Sequence, residues 1–257
     1  MILFMLKKTF FDFWDNLFSI FLLNFGCTLI VGAGIYVTSL LGVHPVTFFL
    51  GILITVVMFS LYVGAAALVA RDIADYKSPT FKSFFQYLKE VWPAALGFML
   101  LGGIQLVIFS VILPWYFRLG NLIGILVAGL LFWISVIWVF ASQYYFPVRS
   151  RLDSDIKKVF RKSVLVFFDN TAFTLFLGCG TLVLLVLSGF TAFLLPGIGT
   201  ILLWHQVGLK LRLYKYEYLE THPEAQRRNI PWDTLLQDEK ERIGPRTLRG
   251  MIFPWKE

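Results

Sequence analysis

Chemistry in this chain has few side chains to work with. Inside otherwise apolar runs stand Asn24, Gln105, Ser110, Ser135, Gln143, Thr174, Thr181 and the pair His205-Gln206. An amide or imidazole in such a run serves one of two ends. It hydrogen-bonds to a neighbouring helix, or it lines a polar path for a solute. His205, the sole His in such a run, would titrate as a gate or base in a wet site and stay neutral in a packed one. Asn24, Gln105, Gln143, His205 and Gln206 therefore form the candidate polar mid-membrane site. Ion coupling, proton relay and membrane catalysis ordinarily need intramembrane Asp, Glu, Lys or Arg, and these runs hold almost none. His44 and His222 each precede a Pro, Cys27 and Cys179 sit in apolar runs as packing residues, and together they make no metal-ligand spacing. No P-loop, dinucleotide fingerprint, GxSxG or HExxH occurs. The expectation is no catalytic, metal or cofactor-binding residue, no cofactor and no nucleic-acid partner.

A second group lies near the C-terminus. Trp232, Arg246, Arg249 and Trp255 stand in a polar, Pro-punctuated tail, where "PWDTLLQDEKER" reads as a short helix with Asp233 near its cap. Trp and Arg dominate interface hot spots. Two uses are open for them: folding back on the rest of the chain, or anchoring a partner.

The elements that carry these residues follow from composition. The chain is 58% hydrophobic and 15% charged, with 27 Phe. Soluble domains run near 25% charged, and a membrane core takes roughly 20 apolar residues per helix. Six runs qualify, near 17–41, 46–70, 92–114, 121–147, 171–195 and 197–214. The connections on one side hold a single cation, Arg118. The other side holds fifteen, from Lys7 and Lys8 through Arg71–Lys89 and Arg149–Lys162 to Lys210, Arg212 and Lys215. The positive-inside rule places that side, and both termini, in the cytoplasm. The expectation is an all-α polytopic inner-membrane protein, with a six-helix domain over residues 1–215 and a cytoplasmic tail over 216–257.

Each outward run is preceded by a short basic-aromatic stretch: "LKKTFFDFWDN", "SPTFKSFFQYLKEVW" and "SDIKKVFRKSVLVFFDN". Phe81, Phe84, Phe85 and Leu88 fall at helical spacing, as do Ile156, Val159, Phe160 and Ser163. Ser78-Pro79 and Ser154-Asp155 read as helix starts, and Pro93 as the start of the third span. These patterns predict three interfacial helices on anionic headgroups, each followed by a transmembrane hairpin, as three degenerate repeats. Asp15-Asn16 and Asp169-Asn170 would cap the free N–H groups of the next span. The glycines of "LGGIQ" and "GAGIYV" read as close-packing sites.

Two stretches carry a resemblance. "LYVGAAALVARDIADYKSPTFKSFFQYLKEVWPAALGFMLL" (61–101) and "YYFPVRSRLDSDIKKVFRKSVLVFFDN" (144–170) resemble the YesL-like family of bacterial membrane proteins over roughly residues 7–215. An Asn, Pro and Thr near the start of the family's first span have only Asn24 with Thr28, or Pro45 with Thr47, to match them. The resemblance implies an accessory role beside carbohydrate uptake systems and no active residue. The expected function is a non-enzymatic accessory or scaffold that acts through its basic cytoplasmic face on a membrane-protein partner such as a transporter subunit. The alternative is a small-solute transporter whose neutral mid-membrane site is polar.

Overall fold

The computed structural model describes residues 1–41, 44–226 and 229–246, and among these every regular element is helical. In chain order they are α1 (Ile2–Asp15), α2 (Leu17–Leu41), α3 (Pro45–Ala74), α4 (Phe81–Arg118), α5 (Leu122–Arg151), α6 (Ile156–Asp169), α7 (Thr171–Gly189), α8 (Gly197–Thr221), α9 (Trp232–Leu235) and α10 (Gln237–Ile243). Five of them, α2, α3, α4, α5 and α7, are long and apolar enough to cross a membrane. Leu53, Ile54, Leu126, Trp133, Leu182 and Val186 on these helices stand exposed. Helices that are apolar on every side and leave part of that surface uncovered are suited to lipid. The chain is an all-helical membrane protein.

The sixth expected span is α8, and it differs from the others. It packs against α1, α2, α3 and α7 and is the most buried long helix, from Gly197 through Leu211. From Gly197 to Lys210 its apolar part rises only about 20 Å, against roughly 30 Å of hydrocarbon. The turn before it lies beside Asn24, seven residues into α2, rather than beyond the ends of the spans. That turn is closed internally. Phe193 N–H donates to the Ser188 carbonyl at 2.8 Å, Gly197 N–H to Ser188 Oγ at 2.9 Å, and Leu195 N–H to Thr191 Oγ1 at 3.2 Å.

A separate short helix precedes the next long helix at two of the three basic-aromatic stretches, α1 and α6, and not at the other. α6 buries Val159, Ser163, Val166 and Phe167 and turns Lys157, Lys158 and Arg161 outward. No separate helix precedes the third span: α4 is one 38-residue rod. It starts at Thr80, whose side chain accepts from Ser83 N–H in a capping box, not at Ser78. Pro93 lies inside it and does not begin a new helix. A Pro there removes a backbone bond and crowds the preceding turn. Side chains from other helices take up nearby carbonyls: Arg149 bonds the Glu90 oxygen at 3.2 Å, Tyr145 the Ala94 oxygen at 2.9 Å and Ser60 the Ala95 oxygen at 2.7 Å. Further on, the π-helical turn Ile108–Ile112 makes room for Pro114.

The Asp-Asn joins also need correction. The Asn side chains face backwards: Asn170 is the N-cap residue of α7 but makes no side-chain cap bond to it. Asn16 Nδ2 donates to the Asp12 carbonyl at 3.0 Å and Asn170 Nδ2 to the Val166 carbonyl at 3.2 Å, each four residues back. Both joins thus close the end of the preceding helix in the same way, and the carboxylates turn to cations. Asp15 pairs with Arg246 at 2.9 Å and Asp169 with Lys215 at 3.3 Å. Of the glycines, Gly34 packs on Thr55, whereas Gly102 and Gly103 face open space.

Candidate functional site

The five mid-membrane candidates do not converge. Asn24 fastens the turn before α8: Nδ2 donates to the carbonyls of Leu194 (2.9 Å) and Pro196 (2.7 Å), and Oδ1 accepts from Gly199 N–H (2.7 Å). Gly197, at φ +68, lies so close that a Cβ would meet Asn24 Cγ at 2.2 Å. Gln143 and His205 meet through Thr181, whose Oγ1 is 3.4 Å from Gln143 Oε1 and 2.8 Å from His205 Nε2. Gln206 turns the other way, donating to the Ala67 carbonyl at 3.0 Å. Gln105 is on α4, apart from the rest, and its buried Nε2 makes no hydrogen bond among the described residues. Asn24 borders a groove of about 400 Å³ with Cys27, Thr28 and Phe193, but its polar atoms are all engaged in the turn. No wall of that groove comes from Gln105, Gln143, His205 or Gln206.

Polar chemistry is concentrated instead where the cationic ends of the helices meet. α1 supplies Lys8 and Asp12, both buried, along with Met5 and Thr9 on the same face. Its opposite face exposes Leu3, Leu6 and Trp14. This is the reverse of a water-facing amphipathic helix, and it suits a helix with lipid outside and a charge cluster inside. α3 is closed by its C-cap residue Asp75, followed by Tyr76 at φ 57. That left-handed position after a helix usually falls to Gly, and a side chain there costs about 1 kcal/mol. α5 ends in Arg151, and α8 presents Gln206, Lys210 and Tyr214 from successive turns.

Glu239 of α10 joins them. Its Oε1 lies 2.6 Å from Lys210 Nζ and accepts from Tyr214 Oη at 2.8 Å. Its Oε2 lies 3.1 Å from Lys8 Nζ and accepts from Tyr76 Oη at 2.7 Å. Each carboxylate oxygen therefore meets one ammonium and one phenol. Lys8 Nζ is also 2.9 Å from Asp12 Oδ2 and 3.7 Å from the centre of the Tyr76 ring. Lys210 reaches on to Asp75 at 3.3 Å and donates to the last α3 carbonyls through Ala74 at 2.9 Å, a favoured place for a cation. Arg151 forks onto both Asp75 oxygens at 3.1 Å and donates from Nε to Gln206 Oε1, also at 3.1 Å. Charges alternate along this chain of contacts from Arg151 to Asp12 and cross-link α1, α3, α5, α8 and α10.

Burial works against the charge on Glu239, but Lys8, Lys210 and Tyr76 together outweigh it and hold the carboxyl down to about 2. Asp12 goes the other way, its carboxyl pushed up to about 6 by burial against the pull of Lys8. Burial and donation to Glu239 push both phenols, Tyr76 and Tyr214, up.

The docking candidates fall at the same end. Trp232 packs against the buried core beneath Arg212, whose guanidinium is 5.8 Å from its ring. Arg246 forks onto Asp15 at 2.9 Å. Arg249 and Trp255 lie outside the described residues. Sequence reasoning passed over Lys8, Asp12, Asp75, Tyr76, Lys210, Tyr214 and Glu239 as a group. Lys210, a cation following thirteen residues without charge in α8, was the available signal.

Comparison with known proteins gives one informative relation. No family model matches the chain, and no solved structure matches it. It is 30% identical over 153 residues to the uncharacterised protein YesL of Bacillus subtilis (strain 168), a match covering 57% of this chain and 71% of that protein.

Proposed function

Because the chain belongs to the YesL family, we propose that it is a non-enzymatic scaffold or accessory protein of the bacterial cytoplasmic membrane. It acts through its basic, cytoplasmic end. In this reading α2, α3, α4, α5 and α7 cross the bilayer, and α8 enters it as a shorter sixth segment. Both chain ends lie in the cytoplasm with the anionic headgroups, as positive-inside asymmetry requires. The three hairpins are degenerate copies of one unit, of which the matching closures at Asn16 and Asn170 are the clearest trace.

One observation carries the reading. The mid-membrane amides Asn24, Gln143 and Gln206 are occupied by internal hydrogen bonds, while charged groups from four helices and the tail are gathered at one end. That end continues into outward-facing Lys157, Lys158 and Arg161 on α6. A membrane-protein partner with an acidic cytoplasmic surface is the matching chemistry. The test is co-purification in mild detergent, with bound proteins identified. A partner should be retained by the natural chain and lost when Lys157, Lys158 and Arg161 are changed to Glu. Absence of any partner, together with saturable solute uptake into vesicles carrying the purified chain, would replace this reading with a transporter.

A further inference from the structure

We propose that Glu239 is a tethered plug in an anion-binding cradle of the bundle, and that the cradle's other occupant is an acidic amphipathic helix of the partner. This deepens the scaffold reading and rests on it for the existence of a partner. The cradle belongs to the bundle alone: Lys8 from α1, Tyr76 after α3, and Lys210 and Tyr214 from α8. These groups place two ammonium groups and two phenols around one carboxylate. Without Glu239, Lys8 would keep Asp12 and Lys210 would keep Asp75, but both phenol donors would lose their acceptor in a buried site. An empty cradle is therefore costly, and a carboxylate from elsewhere is the natural replacement.

The tail shows what such an occupant looks like. Leu236 and Ile243 flank Glu239 at spacings of three and four, and both are buried against the bundle. One face of one short helix with its N-cap residue thus offers aliphatic, carboxylate, aliphatic. The tail is a short piece whose apolar hold on the bundle is made by Trp232, Leu236 and Ile243. Its helices are only four and seven residues long, and Pro223 and Pro231, both exposed, lie between them and α8. Beyond the cradle, its polar ties to the bundle include Lys7 on the Gly244 carbonyl at 3.2 Å and the exposed Arg246–Asp15 pair. An ion pair that exposed contributes little. A partner helix with the same face displaces the plug, so the free tail reports that the partner has bound.

The experiment uses the full chain in detergent, with a protease site set into residues 223–226 and a fluorophore on the tail. After cutting, three competitors are added. One is a peptide of otherwise unrelated sequence with Leu, Glu and Ile at the spacing of 236, 239 and 243. The second carries Gln in place of Glu, and the third is acetate. The Glu peptide should release the tail, the Gln peptide should be weaker by at least about thirtyfold, and acetate should have no effect. Should cutting alone release the tail, the labelled peptides are titrated onto the emptied bundle under the same criterion. Equal potency of the two peptides, failure of both, or release by acetate overturns the proposal. So does peptide binding that depends on self-association of the chain, which would make a second copy the occupant. These readouts need no natural partner, so failure here is distinct from failure of co-purification.

Discussion

At the scale of single residues, the buried polar groups divide into a lock and a hub. Asn24 is the lock. Asn24→Ala would leave the Leu194 carbonyl and the Gly199 N–H without their partner, and each such loss costs about 1–3 kcal/mol. Gly197→Ala adds a left-handed alanine to a collision with the same side chain. Both variants should melt well below the natural chain in detergent, and Thr28→Ala, which loses only its bond to the Asn24 carbonyl, should not. The hub is Glu239, and its prediction is a pH profile. A carboxyl held at about 2 in the folded chain against an ordinary 4.5 adds stability that is complete above pH 4.5. That stability is lost as pH falls from 4.5 toward 2. Asp12, raised from 3.8 to about 6, has the opposite sign: its protonation between pH 6 and 4 favours the folded state. Fluorescence transfer between the bundle and α10 should therefore hold down to pH 4.5 and fall below it, and Glu239→Gln should flatten that fall. Asp12 acts on unfolding of the bundle, where Asp12→Asn should remove the gain in stability between pH 6 and 4.

At the scale of elements, lipid-facing features were legible in the sequence and mutually buried ones were not. α2, α3, α5 and α7 stand where apolar runs place them, because a helix in lipid must be apolar along its length. α6 follows from the spacing of Val159 and Ser163. Pro93 misleads, since a Pro reads as a boundary unless one knows that Arg149, Tyr145 and Ser60 wait to bond the carbonyls beside it. α8 is harder to place for a different reason. A helix enclosed by protein need not span the hydrocarbon, so run length stops measuring depth. The turn between α7 and α8 gives the sharpest prediction at this scale. Backbone at membrane depth is tolerated where its polar groups are satisfied by protein, and this turn meets that condition through Ser188, Thr191 and Asn24. A cysteine replacing Phe193, in a chain without Cys27 and Cys179, should react far more slowly with a membrane-impermeant maleimide than one replacing His44. Equal rates would place the turn in water.

At the scale of the whole molecule, the same cations answer two questions. Counted, Lys8, Arg151 and Lys210 are the basis of the proposed orientation. Paired, they bind α1, α3, α5, α8 and the tail into one end. Only the count is visible in sequence, because the acids that meet them, Asp75 and Glu239, come from positions up to 231 residues away in the chain. Pairing over such separations leaves no local period. The central claim is that this end faces the cytoplasm and is the surface on which the protein acts. The most direct measurement is photo-crosslinking in living cells from single sites on the outside of the bundle. Lys89, Lys157 and Asp233 represent the basic end, and His44 and Asn121 the opposite one. The account predicts that discrete protein adducts form from the first three sites, to cytoplasmic or membrane partners, and not from the other two. Adducts confined to His44 and Asn121 would contradict it.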